Sequence, residues 1–342
     1  MYFKKFFKNR FYKIFTGIFS IFLILSLYKK LDFSQLKLVI HNSNLLILFI
    51  SLSISLFLGI IGGWRFYFCS KFFGFRRFPS LKTSSKSYFV TSLINLALPS
   101  KLGDLTKGYI CNRIDKENYD FNIHLYTIYE KLSDLLAIVI LGYSTNYILH
   151  LKSDIYIYQN RLEELVTGKE NLLYIYLLIM IILFLILCPI KKIIKFKFGF
   201  KNFNLKIFPK LKLFKIIEKL NLFKYNLSVS DFIIYQIISI LIWIIHLFQI
   251  CLFAEALQMN LWSYSGIFII ITTILFSLLP ISFAGVGTRD ALILYLLSPI
   301  YGNIKPLFLG VLMTLRYIIP AVFGALFLSE INLRIKNIVK IF

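Results

Sequence analysis

Charge is scarce in this sequence of 342 residues, and negative charge is scarcer still: Lys, Arg, Asp and Glu together make up 16%, and only 16 residues are acidic. Soluble domains carry roughly a quarter charged residues, so a water-facing globule is a poor fit. Cysteine and histidine are thin too, with four of each. Cys69, Cys111, Cys188 and Cys251 form no close pair and are read as free thiols. His41, His124, His150 and His246 are scattered, so no metal-ligand spacing appears. There is no Ser-His-Asp spacing, nucleophile elbow or phosphate loop, and Gly285-Val286-Gly287 is a lone Gly-x-Gly without a preceding strand. These absences argue against catalysis and against a cofactor.

What is abundant is apolar sequence, 58% of the chain, and it comes in blocks. Leu172–Leu187 and Phe232–Ile245 contain no Lys, Arg, Asp or Glu. About 20 such residues in a helix span the hydrocarbon. The only other spanning structure is a closed barrel, whose strands alternate in hydrophobicity, and these runs are apolar all round. The expected class is therefore an all-α polytopic membrane protein. Its blocks lie at 11–28, 45–64, 88–99, 125–149, 172–190, 232–257, 264–282, 288–300 and 306–328. Lys4, Lys5, Lys8, Arg10 and Lys13 precede the first block as in a signal peptide, but Tyr28-Lys29-Lys30 closes it without a small-residue cleavage site. It reads as a retained helix.

The net charge of +23 sits in the connections, where it orients the protein and meets anionic lipid rather than nucleic acid. Lys and Arg number five in residues 1–13, six in 65–86 and eleven in 191–230, but three in 150–171 and none in 258–264. The first three segments are expected in the cytoplasm, 191–230 as a basic loop, and the other two outside; the three lysines of 29–44 fit the outside less well. The count closes if residues 87–113 and 264–300 dip into the membrane and return. Six spanning helices and two re-entrant hairpins then remain, within one integral membrane domain over 1–342, in the cell membrane with both termini cytoplasmic.

This topology contains a repeat, with halves at about 1–150 and 172–330. Each half reads span, span, hairpin, span, from opposite sides of the membrane. Pro99 and Pro280 are 181 residues apart, and each closes an apolar helix before glycine and an acid: Gly103 and Asp104 in one half, Gly285, Gly287 and Asp290 in the other. Inverted repeats with broken helices near the midplane are a signature of transporters.

Four stretches could carry chemistry. Around Pro99, Lys101, Gly103, Asp104 and Lys107, proline stops the helix and glycine turns the chain, so a new helix begins at depth with free amides suited to an anion. The blander reading has Asp104 capping that helix and the lysines reaching the interface. Around Pro280, Gly285, Gly287, Arg289 and Asp290, Thr288 is the expected N-cap, Asp290 complements the helix dipole, and Arg289 is an ionisable group among apolar flanks. Glu130 and Asp134, four residues apart, share a helix face. Arg316 is a further buried charge and a candidate partner for them, while Glu255, near the outer interface, and His246 are weaker candidates. These charges either line a polar cavity for a head group or hold the bundle together as salt bridges.

On Asn95–Arg113, Glu130–Leu136, Leu279–Leu294 and Leu312–Gly324 the sequence resembles the flippase-like membrane domain of lysylphosphatidylglycerol synthases. That family includes stand-alone membrane proteins and archaeal relatives linked to lipid-carried glycans. Asp104 and Asp290 stand where the family usually has glutamate, Phe283 where it has a small residue, and Glu130-Lys131 where it has Glu-Arg. The resemblance implies two re-entrant helices and translocation of an anionic phospholipid or lipid-linked glycan between leaflets. Lys101, Arg289 and Arg316 would attract phosphate, and Asp104, Glu130, Asp134 and Asp290 would hold those cations or contact a cationic head group. In the full-length synthases aminoacyl transfer belongs to a following soluble domain, and here the chain ends about a dozen residues beyond the last helix, so lysyl transfer is not expected. The rival expectation is a membrane accessory of a glycosyltransferase or lipid-modifying enzyme. Membrane lipids are the expected partners, and nucleic acid is not.

Overall fold

A computed structural model describes residues 33–73, 77–97, 102–116, 122–153, 228–278 and 286–328, together with the isolated positions Tyr176 and Ile179. The expected spans at 11–28 and 172–190 and the basic loop 191–230 lie outside the described residues, apart from those two positions and residues 228–230, where a helix begins. So do Pro99, Lys101, Pro280 and Gly285.

All regular structure among the described residues is helical. In chain order the α-helices are α1 (Phe33–His41), α2 (Leu45–Ser70), α3 (Leu81–Ala97), α4 (Lys107–Asp115), α5 (Asn122–Ser153), α6 (Val229–Ala256), α7 (Tyr264–Ser277), α8 (Thr288–Tyr301) and α9 (Ile304–Leu326). A 3-10 turn over Lys71–Phe73 extends α2, and another over Leu102–Thr106 leads into α4. Local sequence sets several of the starts. Asn44 accepts from the amides of Leu46 and Ile47, Ser263 accepts from Gly266, and Ser228 with Asp231 forms a capping box on α6.

Four segments are long and apolar enough to cross a membrane: Leu45–Phe73, Tyr126–Leu149, Val229–Ala256 and Ile304–Leu326. They coincide with four of the six expected spans. Their outer faces present large apolar side chains, such as Phe49 and Phe57 on α2 and Ile237 and Phe248 on α6, that a bilayer would cover. The protein is membrane-embedded. Where the two re-entrant hairpins are expected, the described residues form helices shorter than a span, and the breaks at 98–101 and 279–285 lie outside the described residues. At the first these are α3, of 17 residues, followed by the 3-10 turn and α4; at the second they are α7 and α8, of 14 residues each.

The packing exchanges partners between halves. The first limb of the first hairpin, α3, packs most extensively against α9, the last helix of the second half, and α7 packs against α5, the last helix of the first half. Likewise α2 meets α9 and α6 meets α5, while α2 and α6 pack on each other. Small residues allow the close approaches. A methyl group built on Gly62 would lie 2.2 Å from the Tyr88 ring, and one on Gly324 would lie 2.1 Å from the Phe89 carbonyl oxygen. Membrane helices associate through such contacts because lipid offers no hydrophobic drive between them. Buried polar groups add links: Gln249 donates to the Ser51 carbonyl and the Ser55 hydroxyl, both at 2.7 Å, and Gln236 donates to Ser133 at 3.0 Å.

Two expectations need correction. Arg65 does not belong to a cytoplasmic loop: α2 runs through it to Ser70, and the side chain is 3% exposed. The helix continues because the charge is paired inside the bundle. The N-cap of α8 is Gly287, with φ of 92°, and Thr288 is the first helical residue. That backbone angle is one that side-chain-bearing residues rarely adopt.

Candidate functional site

The helix face predicted to carry Glu130 and Asp134 is the centre of a buried chain of alternating charges. Glu130 is fully buried and accepts from Lys107 Nζ through both oxygens, at 3.0 and 2.9 Å, and from Arg65 Nη2 at 2.7 Å. Arg65 also forks onto Asp134, with Nη2 donating to Oδ2 at 3.1 Å and Nη1 donating to Oδ1. Lys131 pairs with Asp104 and lies 3.7 Å from Asp134. Asp104 accepts a further bond from the Asn95 amide at 3.1 Å. The order is therefore Lys107, Glu130, Arg65, Asp134, Lys131, Asp104, with positive and negative groups alternating throughout.

Four elements supply this chain, and each side chain is held by packing. Arg65 comes from α2, Asp104 from the 3-10 turn, Lys107 from the first turn of α4, and Glu130, Lys131 and Asp134 from α5. The turn sits flush on α3 because residue 103 is glycine: a methyl there would lie 2.6 Å from Asn95 Oδ1 and 2.8 Å from the Asn95 nitrogen. Lys107 is 1% exposed, with its ammonium 4.9 Å from the centre of the Tyr88 ring. It does not reach back to an interface, and Asp104 ties the turn to α5 rather than capping α4. Burying single charges would cost several kcal/mol each, so the alternation itself makes the arrangement tolerable.

Arg316 of α9 stands apart from this chain. It is 3% exposed, and Nη2 donates to the Tyr317 hydroxyl at 2.6 Å. Nε and Nη1 are buried with no hydrogen-bond partner, and no carboxylate pairs with the guanidinium among the described residues. Arg65, not Arg316, is the cation that Glu130 and Asp134 share. Sequence reasoning missed Arg65 because it was counted with the loop that follows, although Phe66-Tyr67-Phe68-Cys69 keeps the sequence apolar beyond it.

A cleft with a cavity volume of about 100 Å³ joins the two features. Its wall includes Arg65, Asp104, Lys131 and Asp134 from the charge chain, Arg316 and Tyr317 from α9, Trp243 and His246 from α6, and Asn95 from α3. Both halves thus contribute to one polar space inside a membrane bundle. Four cations stand in or beside it, Arg65, Lys107, Lys131 and Arg316, against three carboxylates. Among the described residues one positive charge, that of Arg316, is left over.

The second predicted motif lies elsewhere. Arg289 and Asp290 are 1% and 0% exposed and bond to each other, with Arg289 Nε and Nη2 at 2.9 and 2.7 Å from Asp290 Oδ1. Nη2 also donates to the Gly310 carbonyl at 2.8 Å and to Thr314 Oγ1 at 2.7 Å on α9. Asp290 accepts from the Gly287 amide at 3.3 Å, completing the start of α8. Neither residue lines the cleft. Glu255 is exposed and accepts from Trp262 Nε1 at 2.9 Å, away from both groups.

A family model described as the lysylphosphatidylglycerol synthase TM region matches residues 13–327. No curated protein and no solved structure matches the chain.

Proposed function

The chain belongs to the lysylphosphatidylglycerol synthase membrane-region family, and from that premise and the cleft we propose that it is a lipid translocase, passing an anionic head group between leaflets. One observation carries the reading: the Arg316 guanidinium, buried among membrane helices, has two nitrogens unbonded at the wall of a polar cleft. An unpaired buried cation is costly. A phosphate taken into the cleft would supply the missing acceptor through charge-assisted hydrogen bonds. The neutral alternating chain beside it provides a polar surface over which a head group, stripped of water, can move.

The exchanged packing of the short helices supports an inverted repeat, and the Lys and Arg counts of the connections support six spans in the cell membrane with cytoplasmic termini. Rocking of one half against the other would then expose the cleft to each leaflet in turn. The sequence offers no nucleotide site, so movement would be facilitated or coupled to a gradient.

The test is a leaflet-exposure assay in proteoliposomes, using purified full-length protein, fluorescent phosphatidylglycerol and polyprenyl-phosphate sugars. Protein-dependent movement that is lost in Arg316→Ala is the expected result. Folded protein that moves neither lipid would contradict the proposal and favour an accessory role beside a glycosyltransferase or lipid-modifying enzyme.

A further inference from the structure

The charge balance of the cleft also bears on which lipid it accepts, an inference that rests on the translocase reading for its biology but not for its chemistry. Lys107, Arg65 and Lys131 are each matched by a carboxylate, so Glu130, Asp134 and Asp104 have no charge left for a guest. Among the described residues at the cleft, Arg316 is the cation without a carboxylate. Arg65 adds a second donor at the same wall, because its Nε is buried without a hydrogen-bond partner while its other nitrogens hold the carboxylates. His246 lines the cleft as well and would alter the balance only when protonated. At low effective dielectric an uncompensated charge is expensive. A guest with one negative charge brings the site to neutrality. A cationic head group would raise the excess to two positive charges, and a zwitterion would leave it unchanged.

We propose that the cleft is a site for a phosphodiester monoanion, held on the Arg316 guanidinium, and that it rejects head groups with a net positive charge, aminoacylated lipids included. The shared chemistry is a phosphodiester linking a lipid to a hydroxylated group, whether the lipid is a diacylglycerol or a polyprenol. Trp243, in the wall and 4.9 Å from the His246 ring centroid, gives an apolar surface against which such a group can lie.

Binding can be read without transport. In a Trp64→Phe, Trp262→Phe background Trp243 is the remaining tryptophan, since the sequence contains three. The detergent-solubilised full chain is titrated with dihexanoyl phosphatidylglycerol, a short-chain prenyl-phosphate sugar, dihexanoyl phosphatidylcholine, lysyl-phosphatidylglycerol and inorganic phosphate. The expected result is a saturable Trp243 fluorescence change with one or both phosphodiester monoanions, at least about tenfold weaker with the zwitterion, the cation and free phosphate. Arg316→Gln should weaken monoanion binding by about tenfold or more, and Arg316→Lys should restore part of it. Equal binding of lysyl-phosphatidylglycerol, or tight binding in Arg316→Gln, overturns the assignment, and a response to inorganic phosphate at equal concentration overturns its lipid part. The comparison among wild-type titrations stands even if a variant does not fold. Monoanion binding without movement in proteoliposomes would sink the translocase reading and leave this site standing. Movement of cationic lipid at the same rate would do the reverse.

Discussion

The two hairpins carry nearly the same letters at their breaks, glycine followed by an acid with a cation close by, yet the structure uses them differently. In the first, Asp104 and Lys107 reach away from their own segment and pair with Lys131 and Glu130 on α5. In the second, Arg289 and Asp290 are neighbours in sequence, pair with each other, and bond onward to Gly287, Gly310 and Thr314. A pair closed within one helical turn needs no charged partner from the rest of the bundle, only the polar atoms of α9. Pairs that cross between elements draw the turn, α2 and α5 around a common space, and that space is the cleft. The same motif therefore serves as a closure in one half and as the edge of a site in the other.

Substitutions can break that contrast, and the largest effect belongs to Glu130. Glu130→Ala leaves Lys107 and one nitrogen of Arg65 buried without their carboxylate. Removing one member of a buried ion pair costs roughly 3–5 kcal/mol, so the melting temperature in detergent should fall sharply and folded yield with it. Arg289→Ala should come next, at about 3 kcal/mol by the same reasoning, again read by thermal melting. Protein that remains folded should keep its lipid binding, because the residue does not line the cleft. Gly310→Ala is smaller. The new methyl would lie 2.7 Å from Asp290 Oδ1, and overpacking of this kind costs about 1–3 kcal/mol. It should lower the melting temperature modestly without changing lipid preference. Arg316→Gln should have the least destabilising effect, leaving the melting temperature unchanged or slightly raised, since it removes a buried charge that has, among the described residues, a single side-chain bond and no ion pair.

Much of this architecture was legible in the chain. Apolar runs located four described spans to within a few residues at most ends, and the short apolar blocks of the sequence coincide with the shorter helices α3, α7 and α8. The spacing of Glu130 and Asp134 put them on one face, as the i, i+4 geometry requires. What the sequence hid was partnership. Hydropathy treats Arg65 as the edge of a span because charge normally ends one, and only the three-dimensional pairing shows that α2 passes through it. Arg316 was expected to serve Glu130 and Asp134, but a carboxylate's partner depends on helix packing across long sequence separations, which one sequence does not encode locally. The N-cap of α8 was misplaced by one residue because Thr288 has the chemistry of a cap, while Gly287 has the backbone freedom that the turn demands.

The account's central claim is that Arg316 is a functional charge and Arg289 a structural one. The most direct measurement is the leaflet-exposure assay on Arg316→Gln and Arg289→Ala, normalised to folded protein and run beside their melting curves. The account predicts that Arg316→Gln melts like the unmodified chain and moves no phosphatidylglycerol or polyprenyl-phosphate sugar, while Arg289→Ala melts earlier and still moves the lipid. Unmodified movement in Arg316→Gln, or its loss in folded Arg289→Ala, would contradict it.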